Sequence, residues 1–381
     1  MTEKLYYIDA YMKEFEATVL SSTPDKSGYL VTLDRTAFFP EEGGQSADKG
    51  MIGEHKVIDV KEKDGIIYHL TESMPTVGET YGCSLDFDGR YDKMKQHTSE
   101  HILSGIIKRL FGWNNVGFHV GEGEVTFDTD GPLSEDDVTL IETLANKAVS
   151  DNLEVIAYFP TGEELEVLEY RSKLDLKENV RIVKVGDVDI CACCAPHVRY
   201  TGEIGEIKIL DFIKWKGGMR ITIAAGERAL RDHREKSESV KGISVLLSTP
   251  RAEVYPAVLA LKESYEDMKH RCRDLEMRIA ALEARAVATA EGNSVSFFEG
   301  VNMDFLIAFS NAVRPRVGGL TVALGGTEGD IKYVISSDNI DVRTMAKDIN
   351  ASLSGRGGGN TGMIQGSFKA SVADIRAYFE K

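Results

Sequence analysis

Hydrophobic and polar positions change their period along the chain, and each regime predicts a different kind of element. Up to about residue 88, short β-rich runs such as Gly28-Tyr29-Leu30-Val31-Thr32-Leu33 and Lys56-Val57-Ile58-Asp59-Val60 alternate with turn residues, which predicts a small β-barrel or sandwich. From about 89 to 240 helices and strands mix. Ile102, Leu103, Ile106, Ile107 and Leu110 fall at helical spacing and predict a helix from His97 to Leu110. Ser134-Glu135-Asp136-Asp137 is a capping box that opens a second helix. β-rich runs near 180–190 and 204–213 flank a cluster of cysteines. The next regime is the most regular: Val254, Val258, Leu261, Tyr265, Met268, Cys272, Leu275, Ile279, Leu282 and Ala286 are spaced alternately four and three. That is the apolar seam of a coiled coil or long helical hairpin, serving as a spacer or a dimerisation face. Thr249 is its expected N-cap, with Pro250 at the first helical position. The charged run 228–241 is the other arm of the hairpin, broken near Gly242 or Ser248. A mixed α/β tail follows, with five glycines in Gly355-Arg356-Gly357-Gly358-Gly359-Asn360-Thr361-Gly362. The expected fold is α+β and multidomain, with regions 1–88, 89–240, 241–290 and 291–381.

Length agrees with that division, since 381 residues at roughly 150 per domain make two to three domains. Hydrophobic residues at 42% and charged residues at 28% are enough to bury a real core. No apolar run approaches the ~20 residues that span a bilayer, and the start at Met1-Thr2-Glu3-Lys4 has no apolar signal segment. A cytoplasmic protein with no membrane partner is expected. The net charge of −16 argues against indiscriminate binding to nucleic acid. It is unevenly spread, with 36 basic and 51 acidic residues in the first 290 positions against 9 and 10 beyond them. An RNA partner would meet the near-neutral tail or a local basic patch such as Lys214, Lys216, Arg220, Arg228 and Arg231.

Five cysteines are too few for a disulfide scaffold, and Cys191-Ala192-Cys193-Cys194 is too tight for one. Such a cluster in an intracellular chain points to metal or redox chemistry. His97-Thr98-Ser99-Glu100-His101 sets two imidazoles four residues apart on one helix face, within reach of one metal ion. This is not the metalloprotease pattern, because Thr98 stands where that pattern needs a glutamate. Cys193 and His197 share the same spacing, but Pro196 makes their segment a turn. His97, His101, Cys193 and His197 could complete a tetrahedral zinc site, with Cys191 or Cys194 as substitutes for Cys193. Such a site is either a closed staple or a catalytic centre. Two glycine-rich stretches remain. Gly43-Gly44-Gln45 lets backbone approach a substrate, with Gln45 as donor or acceptor. The stretch 355–362 offers backbone N–H groups and Arg356 to a phosphate, but it lacks the Lys-Ser/Thr ending of an ATP loop.

In combination, His97-x-x-x-His101 and Cys193-x-x-x-His197 followed by Thr201-Gly202-Glu203-Ile204-Gly205 resemble the editing domain of alanyl-tRNA synthetase and its free-standing AlaX-type homologues. The loop at 39–50 is similar to the glycine-rich motif of the small β domain before that core, and residues 218–230 to the family's exit from it. The long helix and residues 355–366 resemble the synthetase's C-terminal domain, also found behind DHH-type phosphoesterases. Fewer than 90 residues precede the core, too few for the aminoacylation domains. Asp232-His233-Arg234 is only a fragment of the phosphoesterase motif, so the long free-standing form is the expected relative.

The resemblance implies hydrolysis of the ester that joins serine or glycine to tRNA(Ala). It implies Zn2+ held by His97, His101, Cys193 and His197, and it puts Thr98 and His119 in the pocket wall as catalytic candidates. It further implies substrate or tRNA contacts at Gly43, Gly44, Gln45, Arg220, Arg356, Gly357, Gly358 and Gly359. A homodimer through the long helix or C-terminal domain is also expected. Cys194-Ala195-Pro196 departs from the glycines and threonine common in the family, which could alter the pocket and the choice between serine and glycine. A zinc-stapled tRNA-binding adaptor without turnover, or a zinc hydrolase of another acyl ester, are the rival readings.

Overall fold

The N-terminal alternation closes on itself. In the computed structural model, strands Glu14–Asp25, Gly28–Leu33, Ile66–Thr71, His55–Lys63, Gly50–Ile52 and Thr80–Leu85 neighbour one another in that order around a closed barrel. Closure leaves no unpaired sheet edge. Inward positions of the period-two pattern, Val31, Leu33, Ile52, Val57 and Ile67, are fully buried with Phe38 and Phe39. The residues described are 2–121, 123–172, 179–327 and 329–380. The chain divides into two units, Met1–Ser239 and Val240–Lys381.

His69 sits inside this barrel wall, held between Thr36 Oγ1 at 2.8 Å and the Val31 carbonyl at 3.1 Å. Burial, opposed only weakly by the Val31 hydrogen bond, pushes its pKa down to about 4. The folded ring therefore stays neutral where the unfolded chain, titrating near 6.5, takes up a proton. Between those values the unfolded state binds more protons, so this contribution is intact above about pH 6.5 and is lost as pH falls toward 4, by about 3 kcal/mol. Trp113 and Trp215, the chain's two tryptophans, both lie in this unit and report its unfolding by fluorescence. In urea titrations at pH 7 and pH 5, which cover the upper part of that interval, His69→Gln should show a pH-dependent loss smaller than wild type by about 2 kcal/mol. Equal losses would mean that His69 does not titrate as described.

The rest of the first unit is α1 (Phe87–Phe111), α2 (Glu135–Ser150), the short α3 (Gly162–Val167) and two antiparallel sheets. One sheet runs Ile207–Trp215, Gly218–Ala225, Val125–Thr129, Asn115–Val120, and the other Val155–Tyr158, Ile182–Val185, Asp189–Ala192. α1 starts ten residues before the expected His97, because Asp86 caps it by accepting from Gly89 N at 3.2 Å. Its residues 96–107 are buried all round, and Ile102, Leu103, Ile106 and Ile107 join Phe127, Ile141 and Ile221 in one core. The capping box of α2 forms, with Ser134 Oγ accepting from Asp137 N and Asp137 Oδ2 from Ser134 N.

α4 (Glu227–Leu246) is followed by α5 (Val254–Ala286), and the chain turns at Ser248, whose φ is +51°. Thr249 and Pro250 do not cap α5: a 3-10 turn at Arg251–Glu253 intervenes, and Pro256 takes the third helical position, where no helical N–H is required of it. α6 (Met303–Val313), α7 (Val342–Ser352) and α8 (Val372–Phe379) complete the eight α-helices among the described residues. Ala280 and Ala284 of α5 pack on Phe305, Phe309 and Val313, whereas Leu261, Tyr265, Met268 and Leu282 of the seam are 56 to 63% exposed.

The glycine run near the C-terminus is not a loop. Gly355–Gly359 is an edge strand paired antiparallel with Met363–Phe368 in a five-stranded sheet. Small residues are needed because a Cβ on Gly357 would lie 2.4 Å from Tyr333 Oη, and one on Gly355 2.5 Å from Phe368, whose ring stacks on Tyr333. The chain there packs over an aromatic pair, so the segment expected to offer backbone N–H groups and Arg356 to a phosphate is an exposed strand edge, not a loop.

Candidate metal centre

Four side chains from two segments converge. α1 carries His97 and His101 on one face, and the turn after strand Asp189–Ala192 carries Cys193 and His197. Their ligand atoms all lie within 4.8 Å of one another. The three imidazoles are 2 to 4% exposed. Arg181 braces the turn, its Nη1 donating to the carbonyls of Cys193 (3.0 Å) and Ala195 (2.8 Å).

Each imidazole has its Nδ1 taken by an acceptor from elsewhere in the fold. His97 Nδ1 donates to Gln45 Oε1 at 2.9 Å, His101 Nδ1 to Asp189 Oδ2 at 2.9 Å, and His197 Nδ1 to Thr98 Oγ1 at 3.0 Å. Thr98 can accept because its own proton goes to the Met94 carbonyl at 2.7 Å. Asp189 is itself clamped by Arg171, whose Nε and Nη2 lie 2.6 and 2.8 Å from its two oxygens. This network assigns the proton to Nδ1 in every ring and turns Nε2 inward. His97 Nε2 is 3.6 Å and His197 Nε2 3.4 Å from Cys193 Sγ.

Burial opposes charge on these groups, and their pairings decide which carry one. Burial favours the Cys193 thiol, but the electrostatic pull of the imidazoles around it, His97 and His197 first, outweighs burial and holds the group well below the usual thiol range. Burial pushes Cys191 up to about 11, and burial, Cys193 and Glu42 together push Cys194 up. One of the three clustered sulfurs is thus set up as a thiolate, and the other two keep their protons. Burial would raise Asp189, yet hydrogen bonds from Arg171 and His101 hold it at about 2. Burial pushes His197 down to about 3, a neutral ring with a lone pair to give. A thiolate and three oriented imidazoles are a donor set suited to a divalent transition metal.

His97, His101 and Cys193 line a cavity of about 450 Å³ together with Tyr7, Phe159 and Arg181. His197 and Thr98 stand outside its lining. Gly43 reaches this cavity, but Gly44 is needed for a close approach, since a Cβ there would lie 2.3 Å from the Phe118 carbonyl. Val120 N donates to the Gly44 carbonyl at 2.7 Å and Ser46 N to the Val120 carbonyl at 3.0 Å, which docks the loop on strand Asn115–Val120. Gln45, fully buried, contacts His97 and is not part of the cavity lining.

Two expected site residues are elsewhere. Side chains of strand Asn115–Val120 alternate, so Phe118 turns to the centre, 4.6 Å from the His97 ring, and His119 is exposed on the other face. Arg220 shares that outer face, held by Asp128 at 2.7 and 2.8 Å and stacked on Trp215 at 4.1 Å. Sequence reasoning missed Asp189, Arg171 and Arg181. Asp189 and Arg171 fall 88 and 70 residues after His101 with no fixed spacing, and only pairing of their strands brings them near it.

Residues 180–239 match the family described as "Threonyl and Alanyl tRNA synthetase second additional domain". Alanyl-tRNA editing protein AlaX-L of Pyrococcus horikoshii is 30% identical, over 98% of this chain and 96% of its own. The alanine–tRNA ligases of Natronomonas pharaonis and Halorubrum lacusprofundi are 30% and 31% identical over 91% and 94% of this chain, which spans only 39% and 40% of their lengths. The C-Ala domain from Aquifex aeolicus alanyl-tRNA synthetase is 21% identical over 23% of this chain and 87% of its own, with a TM-score of 0.21. No helix among the described residues is long and apolar enough to cross a membrane. With the likeness to AlaX-L running nearly end to end in both chains, and the editing-type domain carrying Cys193 and His197, the chain belongs to the AlaX-type family of alanyl-tRNA editing proteins.

Proposed function

We propose that the protein is a cytoplasmic trans-editing hydrolase that removes serine or glycine, or both, from mischarged tRNA(Ala) at a zinc-holding centre. The observation that carries this reading is the convergence of three Nδ1-anchored imidazoles on the single thiolate Cys193 at the wall of a cavity. His97, His101, Cys193 and His197 would hold the ion, and when bound it supplies Lewis-acid polarisation and orientation of the ester. In the reaction water adds to the ester carbonyl carbon, the bond to the ribose oxygen breaks, and that oxygen leaves with a proton as amino acid and tRNA separate. Gln45, Thr98 and Asp189 hold the three rings in register, and Arg181 fixes the Cys193 turn. Thr98 is a positioning residue in this reading, acting through His197.

The wider assignment is part of the same proposal. Residues 1–88 form the β domain, 89–240 the deacylase core, 241–290 the helical linker and 291–381 a DHH-associated-type tRNA-binding or dimerisation domain. The uncovered α5 seam supports a homodimer. The test is deacylation of Ser-, Gly- and Ala-charged tRNA(Ala) by zinc-replete protein. Loss of serine or glycine while alanine survives is the expected result. No hydrolysis of any of the three would overturn the reading and leave a binding adaptor. Turnover of simple acyl esters without RNA would point to another hydrolase.

A further inference from the structure

The cavity lined by His97, His101 and Cys193 has a second wall, of which the hydrolytic reading uses only Arg181, as a brace. Tyr7, from the 3-10 turn Leu5–Tyr7, and Phe159, just past strand Val155–Tyr158, stand edge to face with ring centroids 5.5 Å apart. Beneath them the Arg181 guanidinium lies 5.2 Å from the Tyr7 ring. Both rings and Arg181 line the cavity with His97, His101 and Cys193. Phe159 is 51% exposed, a large apolar ring left in water at the mouth of the cavity. Arg181 is 8% exposed, and among the described residues its hydrogen bonds run through Nη1 alone.

We propose that Phe159, Tyr7 and Arg181 form the docking shelf for the unstacked 3′-terminal nucleotide of the RNA, the base stacking on the exposed Phe159 ring with the edge of Tyr7 as its stop and the sugar-phosphate meeting the guanidinium. The proposal rests on the tRNA-editing reading and names where in the same cavity the nucleotide end of the ester sits. The chemistry favours this occupant. A single-stranded base is held by its π-face on aromatic side chains, and an oxyanion of the backbone by a guanidinium. Such a shelf suits any base, as a site that reads the acyl group rather than the sequence requires. It also compensates for the acidic surface of the unit, because affinity here comes from stacking and one buried cation rather than from a field of basic residues. An acyl side chain as small as that of serine or glycine has no use for two aromatic rings.

The experiment compares binding of uncharged tRNA(Ala) with the same tRNA lacking its terminal nucleotide, for wild type, Phe159→Ala and Phe159→Trp. Wild type should bind the intact tRNA about tenfold more tightly than the truncated one, Phe159→Ala should not distinguish them, and Phe159→Trp should restore the preference. With Ser-tRNA(Ala), Phe159→Ala should raise KM about tenfold and spare kcat. Equal binding of both tRNAs by wild type, or a loss confined to kcat, would overturn the shelf even if mischarged tRNA is hydrolysed. A terminal-nucleotide preference that depends on Phe159 in a protein that deacylates nothing would keep the shelf and sink the editing reading instead.

Discussion

Cys193→Ser is expected to lower deacylation by more than about 100-fold and to release the metal to a chelator that wild type resists. The magnitude follows from a comparison: changing partners that merely orient metal-bound histidines costs about 10- to 100-fold in affinity or activity, so loss of a ligand must exceed that. Asp189→Asn should fall inside the smaller range, because the amide keeps the shape and loses the charge that anchors His101 Nδ1. Cys191→Ser and Cys194→Ser should cost far less than Cys193→Ser, since burial keeps both thiols protonated whereas the imidazoles around Cys193 hold it as thiolate. Metal content by atomic absorption, measured beside activity, separates a lost ion from a misfolded chain. A Cys191→Ser variant as impaired and as metal-poor as Cys193→Ser would overturn the single-thiolate assignment.

Arg90→Met should destabilise the N-terminal unit by about 3–5 kcal/mol, the usual result of leaving one charge of a buried pair alone. Arg90 on α1 is fully buried against Asp48, with Nε at 2.8 Å from the carboxylate and further bonds to the carbonyls of Ala37 and Ala10. Asp48 also accepts from Phe39 N at 2.7 Å, while Lys93 stands 3.8 Å away and cannot replace the guanidinium fork. Urea unfolding followed by fluorescence of Trp113 and Trp215 measures the loss. Adding Asp48→Leu should recover a large part of it, because no unpaired carboxylate then remains. A double variant no more stable than Arg90→Met would mean that lost packing, not the stranded charge, carries the effect.

What the sequence made legible was local. The i, i+4 spacing of His97 and His101 needs only helix geometry, and the capping box of α2 is complete within four residues. Cys193 and His197 were recognisable by type and spacing, with Cys191 and Cys194 left open as substitutes for Cys193. That choice depends on which sulfur lies among imidazoles, a property of strand Asp189–Ala192 and the turn after it. Asp189 and Gln45 act across 88 and 52 residues and leave no periodic trace. His119 was misplaced because a strand sends neighbouring side chains to opposite faces, and the sequence does not say which face meets the site. Gly355 to Gly359 read as a loop because glycine serves turns and close packing alike, and only the Tyr333–Phe368 stack beneath the strand shows why small residues are needed there.

The origin of Gln45 has a consequence for how the protein can be divided. The four candidate ligand residues all lie beyond residue 96, so a fragment starting at α1 would contain every one of them. It would nonetheless lack the loop that anchors His97, the partner of Arg90, and the carbonyls of Ala47 and Ser46 that receive Lys93. The barrel is therefore structural half of the centre rather than an accessory in front of it. Removing the barrel would strip that scaffolding from the cluster, and inserting a domain at the junction between barrel and α1 would cut through it.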